Sequence, residues 1–381
     1  MSKYWHFLLL SCIAACGHPT TEPSATSWAL GPFERPAGVN PVVSPDSTTL
    51  FFCPMRGEAV AWEGSDTFNP AATLLNGRVV LLYRAEDNSA VGIGQRTSRI
   101  GYASSPDGLF FVRHGAPVLF PNSDDAQADN EQPGGCEDPR VVMTDDGLYV
   151  MMYTQWNRRQ ARLAVATSRD LVTWQKHGPA FAKAYGGRFK DDFSKSASVV
   201  ACLTGGRQVV ARFPSLEGAG GGPKYWMYWG ESFVNVATSD NLIDWTPLLD
   251  ADGELLRVME PRRGCFDSQL TECGPPAVLT EQGIVLIYNG KNLDGPDGDA
   301  RYNANTYCAG QALFSKDDPT QLLDRLDEPF FVPEADFERS GQYPAGTVFA
   351  EGLVYHRDRW LLYYGCADSR VSVAVYNPNK R

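Results

Sequence analysis

Residues 79–84 read VVLLYR, a short apolar run that ends in an aromatic, and runs of this kind return four more times. They are 148–156 (LYVMMYTQW), 208–213 (QVVARF), 283–290 (GIVLIYNG) and 360–365 (WLLYYG). Marked by Leu82, Met151, Val210, Leu286 and Leu361, the steps are 69, 59, 76 and 75 residues. A second strand and a turn follow the first three: IGYASSPDGLFF from Ile100, LAVATSRDLVTW from Leu163 and VNVATSDNLIDW from Val234. Shorter copies start at Gly310 (GQALFSKDD) and Val371 (VSVAV). The alternation has period two, and the fuller copies run into Ser, Asp, Asn and Gly turn chemistry. Helical periodicity is weak, while 36 Gly and 26 Pro interrupt the chain at short intervals. Self-similarity at this period, with several strands per unit, predicts an all-β, five-bladed β-propeller over residues 36–381. Pairing between the two chain ends is expected to complete the first blade.

Outward from this body, the chain of 381 residues carries 45 acids against 34 strong bases, a net charge of −11. That balance argues against a general nucleic-acid binder, which needs a basic face to displace counterions. Residues 1–15 (MSKYWHFLLLSCIAA) have the layout of a secretory signal peptide. Residues 13–16 (IAAC) also resemble a bacterial lipobox, so Cys16 is the expected lipidation site. Residues 16–35 then read as a flexible tether. Removal of residues 1–15 takes away Lys3 and no acid, leaving −12. The expected location is the bacterial cell envelope, with membrane attachment through the lipid alone. With Cys12 in the leader and Cys16 the lipidation site, seven of nine cysteines remain, an odd number. Cys265 and Cys273 are close enough to close a small loop, and no CxxC spacing suggests zinc. The Gly-rich run at 218–223 lacks a following Lys-Ser/Thr pair and reads as a loop.

Acids gather where strands end, at the expected rim of a central funnel. Glu86-Asp87 follow Arg84, Glu137-Asp138-Pro139-Arg140 follow two glycines, and Glu231, Glu272 and Asp368 sit among Gly, Pro and aromatics. Desolvation in such surroundings raises a carboxyl pKa, as general-acid chemistry near neutral pH requires. The ordered set LLYRAED (81–87), SRIGYASSPDG (98–108), GCEDPRV (135–141), GPPAVLTEQGIVLIYNG (274–290), EGLVY (351–355) and YYGCADSRVSVA (363–374) resembles glycoside hydrolase family 130. That family contains mannoside phosphorylases and β-mannosidases.

The resemblance implies a mannose subsite among Arg84, Asp138 and Asp368, with Arg99 and Arg140 nearby. It also favours Lys195 as a lining residue. Tyr228 reads either as a sugar-stacking face or as core. The family's phosphorylases hold phosphate in a basic patch. Here no His lies between residues 178 and 355, and that region offers Glu231 and Glu272. The two stand where the family's β-1,2-mannosidases place acids. A carboxylate pair repels phosphate but can deprotonate water, so the expectation is inverting hydrolysis of β-mannosidic, β-1,2 bonds. Glu231 is read as the acid and Glu272 as the base, with Asp138 a rival donor. No cofactor or metal is called for. The expected partner is a mannose-containing oligosaccharide or mannan. Phosphorolysis and a non-catalytic glycan-binding propeller are the alternatives.

Overall fold

The computed structural model describes residues 27–123, 125–213 and 222–379. The leader, Cys16, the first part of the tether and most of the Gly-rich run at 218–223 lie outside the described residues. Among the described residues twenty-six strands appear, with one short α-helix, Ala128–Glu131.

The strands run as successive antiparallel meanders. The first is Asp66–Leu75, Arg78–Glu86, Ser98–Ser105 and Val112–Arg113. Gly135–Met143, Tyr149–Trp156, Ala161–Ser168 and Gln175–Pro179 follow. Then come Ala197–Val199, Lys224–Trp229, Val234–Ser239 and Trp245–Pro247. Val278–Leu279, Ile284–Lys291, Tyr307–Phe314 and Leu322–Arg325 form the next. The last sheet, Val348–His356, Arg359–Cys366 and Arg370–Tyr376, has three strands of its own. It is extended by the start of the body: Glu34 bridges Val375 and Val43 bridges Val371. Chain-end pairing therefore exists, but it completes the last sheet instead of the first. The architecture is all-β and consistent with a β-propeller.

Apolar packing explains why these sheets stay together. One cluster joins Val80 and Leu82 to Met151 and Ala164, another Met152 and Val165 to Met227 and Trp229. A third joins Tyr228 and Val236 to Leu286 and Tyr288, a fourth Ile287 and Ala309 to Val348 and Leu362. A fifth returns from Leu361 and Tyr363 to Leu81 and Tyr83. Each meander thus buries one face on its predecessor and one on its successor, and the last meets the first. Burial on both faces is why residues 79–86 are buried without alternation.

A tyrosine in each second strand holds a repeated place: Tyr83, Tyr153, Tyr228, Tyr288 and Tyr363 are all almost fully buried. Every hydroxyl donates to an acceptor: Glu63, Glu131, the Pro319 carbonyl, Asp267 and the Gly108 carbonyl, at 2.7–2.9 Å. A buried hydroxyl left unpaired would cost about 1–3 kcal/mol, so these acceptors belong to the fold. Opposite Tyr83 and Tyr288 lie Gly101 and Gly310, where an added Cβ would come within 2.4 Å of the ring.

Three expectations are corrected. The third repeat is Lys224–Trp229, whereas Arg207–Val210 forms a hairpin with Ala201–Thr204. Residues 27–35 are docked on the body: the Trp28 indole donates to Asp324, and Arg35 pairs with Glu338 at 2.7 Å. Residues 27–35 are therefore part of the body and not of a tether. Cys265 and Cys273 are free thiols, as are the other five described cysteines.

Candidate active site

The inner strands of three meanders each carry a register break at their mouth: between Phe68 and Pro70, between Glu137 and Arg140, and between Ala350 and Gly352. An extra residue there turns a side chain out of the ladder and re-aims it. Asn69 and Asp138 occupy the breaks at φ 46° and 48°, and Ser196 and Asp368 also have positive φ. Asn and Asp are among the side chains that tolerate this region best. Around them opens a cavity of about 250 Å³, lined by Asn69, Arg84, Asp138, Lys195, Glu231, Glu272, Asp368 and neighbouring aromatics.

One end is organised by Arg84. Its guanidinium lies 2.6 Å from Glu86, 2.8 Å from Glu137 and 3.1 Å from Asp138, and it covers the Phe68 ring at 4.6 Å. Asn69 donates to the same Asp138 oxygen at 2.8 Å, and Ser98 joins Arg84 to Glu137. Three buried acids share one guanidinium here. Burial pushes Glu137 up to about 7, against the pull of Arg84. Asp138 is held well below its usual range: burial opposes its charge, but Arg84, Lys195 and Arg140 outweigh burial. Burial likewise raises Asp368 to about 7, and the charges of Asp138 and Glu86 add to the rise.

Lys195 organises the other end. Its ammonium lies 3.4 Å from Glu231, 3.5 Å from Glu272 and 3.9 Å from Asp138. Burial works against that charge, yet Glu272, Glu231 and Asp138 together hold the Lys195 pKa above its ordinary value. Glu272 is buried and accepts a short hydrogen bond from Ser196 Oγ. Burial raises its pKa, Lys195 lowers it, and Glu231 raises it again. Glu231 is the open member of the pair, with its side chain 30% exposed. Tyr307, Tyr343 and Phe349 pack edge to face beside this end, with ring centroids 5.5 and 5.7 Å apart. Among the described residues no three His, Cys, Asp or Glu side chains converge as a metal-binding group.

The sequence profile of glycoside hydrolase family 130, described as beta-1,4-mannooligosaccharide phosphorylase, matches residues 41–380. The chain belongs to glycoside hydrolase family 130. Within the family it is 30% identical to a 1,2-beta-oligomannan phosphorylase of Thermoanaerobacter sp. (strain X514), over 82% of this chain and 90% of that one. A solved structure from Bacteroides thetaiotaomicron VPI-5482 is 67% identical, covering 93% of this chain and 99% of that one with a TM-score of 0.89. Another solved structure is 58% identical over 93% of this chain and 96% of that one, also with a TM-score of 0.89. It is described under family-130 glycoside hydrolases that target β-1,2 mannosidic linkages in Candida mannan.

In this family-130 chain the cavity brings together Arg84, Asp138, Lys195, Glu231, Glu272 and Asp368 from the sequence reading. Three residues do not reach it. Arg99 is fully buried, bonded to Asp87 at 2.9 Å and facing Cys53, so it braces the strand behind. Arg140 lies beneath the cavity among backbone carbonyls. Tyr228 is the third of the repeated core tyrosines, packed on Phe314 at 4.6 Å. Placing the third repeat at 208–213 hid that Tyr228 stands where Tyr83 and Tyr288 stand.

Sequence reasoning missed Asn69, Gln342, Tyr307 and Tyr343, and it gave Glu86 and Glu137 no role. Asn69 had a usable signal: Phe68-Asn69-Pro70 repeats the pattern of Glu137-Asp138-Pro139. Nothing local marks the two tyrosines, which the fold delivers from separate segments.

Proposed function

We propose that this chain hydrolyses β-1,2-linked mannosides with inversion, on a ring of five propeller blades. The observation that carries the reading is that, among the described residues, both cations lining the cavity are already matched by carboxylates. Arg84 already faces three carboxylates, and Lys195 faces three. A phosphate dianion would have to enter against Glu231 and Glu272, whereas a water molecule is polarised by the same pair. Likeness to a structure described under hydrolases of β-1,2 mannosidic linkages supports the substrate class. The five clusters that join successive meanders support the blade count.

The geometry redistributes the acid and base roles. Glu231 and Glu272 lie within 3.5 Å of one ammonium, so their nearest oxygens are less than twice that distance apart. An inverting acid and base that straddle a bond and a water keep roughly 6.5–9.5 Å between them. That bound reaches only the lower edge of the range, and one ammonium serves both acids, so the reading assigns the pair to the water side as a unit. Glu231, open to solvent, takes the proton from water, and buried Glu272 orders the water and shares the load. The proton for the leaving oxygen comes from the Arg84 end, where the Glu137–Asp138 pair retains one towards neutral pH. Asp138, the rival donor in the sequence reading, becomes its point of delivery. Arg84, Asn69 and Asp368 hold the sugar that is cut off.

Phosphorolysis is the second reading, favoured by the activity of the 30% identical relative, a 1,2-beta-oligomannan phosphorylase, and by the family description. Release of mannose from β-1,2-mannobiose with and without inorganic phosphate separates the two. Equal rates support hydrolysis, and absolute phosphate dependence establishes the second reading. For location, the proposal is an envelope lipoprotein anchored through Cys16. Detergent-phase partition of Cys16→Ala should be lost, and retention would remove the anchor from the account.

A further inference from the structure

Arg140 is 2% exposed and makes no wall of the cavity, yet its side chain bonds back to its own strand and reaches two others. Nη1 donates to the carbonyl of Asp138 at 3.0 Å. Nη2 donates to the Cys273 carbonyl at 2.9 Å, one residue past Glu272, and Nε to the Gly274 carbonyl at 3.1 Å. Its charge faces Glu351 at 3.0 Å, on the inner strand Val348–His356. Glu351 is fully buried, and neither of its carboxyl oxygens has a hydrogen-bond partner among the described residues. Ser198 Oγ adds a second bond to the Gly274 carbonyl at 3.0 Å, and Ser196 on the same stretch holds Glu272. One guanidinium therefore ties the backbone of Asp138 to the backbone beside Glu272, and both to a third inner strand.

We infer that Arg140, backed by Glu351, is the positioning residue that sets Asp138 at the Arg84 end against Glu272 at the Lys195 end. The inference rests on the proposed reading, in which those two residues flank the reacting bond. A β-bulge turn such as Glu137-Asp138-Pro139 fixes a side chain relative to its own strand only. The distance to a residue on another meander is set by whatever spans the gap, and here the span is one rigid fork. Lysine cannot reproduce it, because an ammonium on a flexible stem does not present three fixed donors to three carbonyls. A misplacement of about 1 Å at reacting groups costs on the order of 10²-fold in rate. Arg140 touches no substrate position, so its loss falls on kcat and leaves sugar binding at the Arg84 end largely intact.

The test compares Arg140→Lys with wild type on β-1,2-mannobiose, in buffer with and without phosphate, normalised to the folded fraction from thermal unfolding. The expected result is a kcat about 10²-fold lower with KM within about threefold. A kcat per folded molecule within about threefold of wild type would reduce Arg140 to a fold brace and overturn the inference. If Arg140→Lys does not fold, Glu351→Gln against Glu351→Leu carries the same test. Gln keeps a polar acceptor for Arg140 and should retain most of kcat, whereas Leu should lose about 10²-fold. Equal kcat in the two variants contradicts the inference. Wild type that cleaves in neither buffer would overturn the reading of the site itself, and this inference with it.

Discussion

At one end of the cavity a guanidinium, 8% exposed, is hemmed in by Glu86, Glu137 and Asp138. At the other an ammonium, 19% exposed, faces Glu231, Glu272 and again Asp138. The acids are equal in number, but the cations differ in kind. Arginine is a planar fork that fixes partners in place, while lysine is a point charge on a mobile stem. In the proposed reading the Arg84 end holds a sugar in one orientation, and the Lys195 end balances charge while a water is admitted and a proton moves. Asp138 touches both cations, which is why its ionisation is bound to each end.

The largest effects should fall at the Lys195 end. Glu231→Gln and Glu272→Gln should each lower kcat by about 10²–10⁴-fold in steady-state assays. A non-catalytic glycan-binding protein would have no turnover to lose. The Arg84 end should respond differently. Arg84→Met leaves buried Glu137 without its cation and Glu86 and Asp138 with only the more distant Arg96 and Lys195, so stability should fall by about 3–5 kcal/mol in denaturant unfolding. Unchanged stability would mean that this cation is dispensable to the acids around it.

A third contrast lies in pH. Folded Glu137 and Asp368 keep protons up to about 7, above their values of 4.5 and 3.8 before burial. The folded state therefore binds more protons than the unfolded chain between those limits. Their contribution to stability is complete below about 4 and is lost as pH rises through about 7. In the same range the Arg84 end loses the proton that the proposed reading assigns to the leaving oxygen, so kcat/KM should fall on the alkaline side. A profile flat to pH 9 would separate that end from proton delivery. The smallest effect is expected outside both ends. Tyr228→Phe should cost about 1 kcal/mol of stability and leave kcat alone, because its hydroxyl serves only the Pro319 carbonyl. A loss of activity instead would return Tyr228 to the cavity.

Much of this was legible in the chain because propeller-like repeats write their period into apolar runs. Arg84, Asp138 and Asp368 could be found because each ends a strand or sits at a turn. Asp138-Pro139 even announces its bulge. The third repeat was misplaced because Arg207–Val210 has the apolar pattern of a strand and is one, but in a side hairpin. Apolar pattern reports burial and does not report partners. Arg99 and Arg140 show the same limit, since an Arg beside an acid reads as substrate contact until its own partners are known. Tyr307 and Tyr343 were beyond reach for another reason: only the closed ring brings their segments to the cavity.

The central claim is that water, directed by Glu231 and Glu272, attacks the anomeric carbon from the face opposite the leaving group. Proton NMR of β-1,2-mannobiose turnover, followed from the first minutes in phosphate-free buffer and again with phosphate, tests it directly. The account predicts α-mannose as the first anomer released, at the same rate in both buffers. Initial β-mannose, or mannose 1-phosphate formed only when phosphate is present, would contradict it.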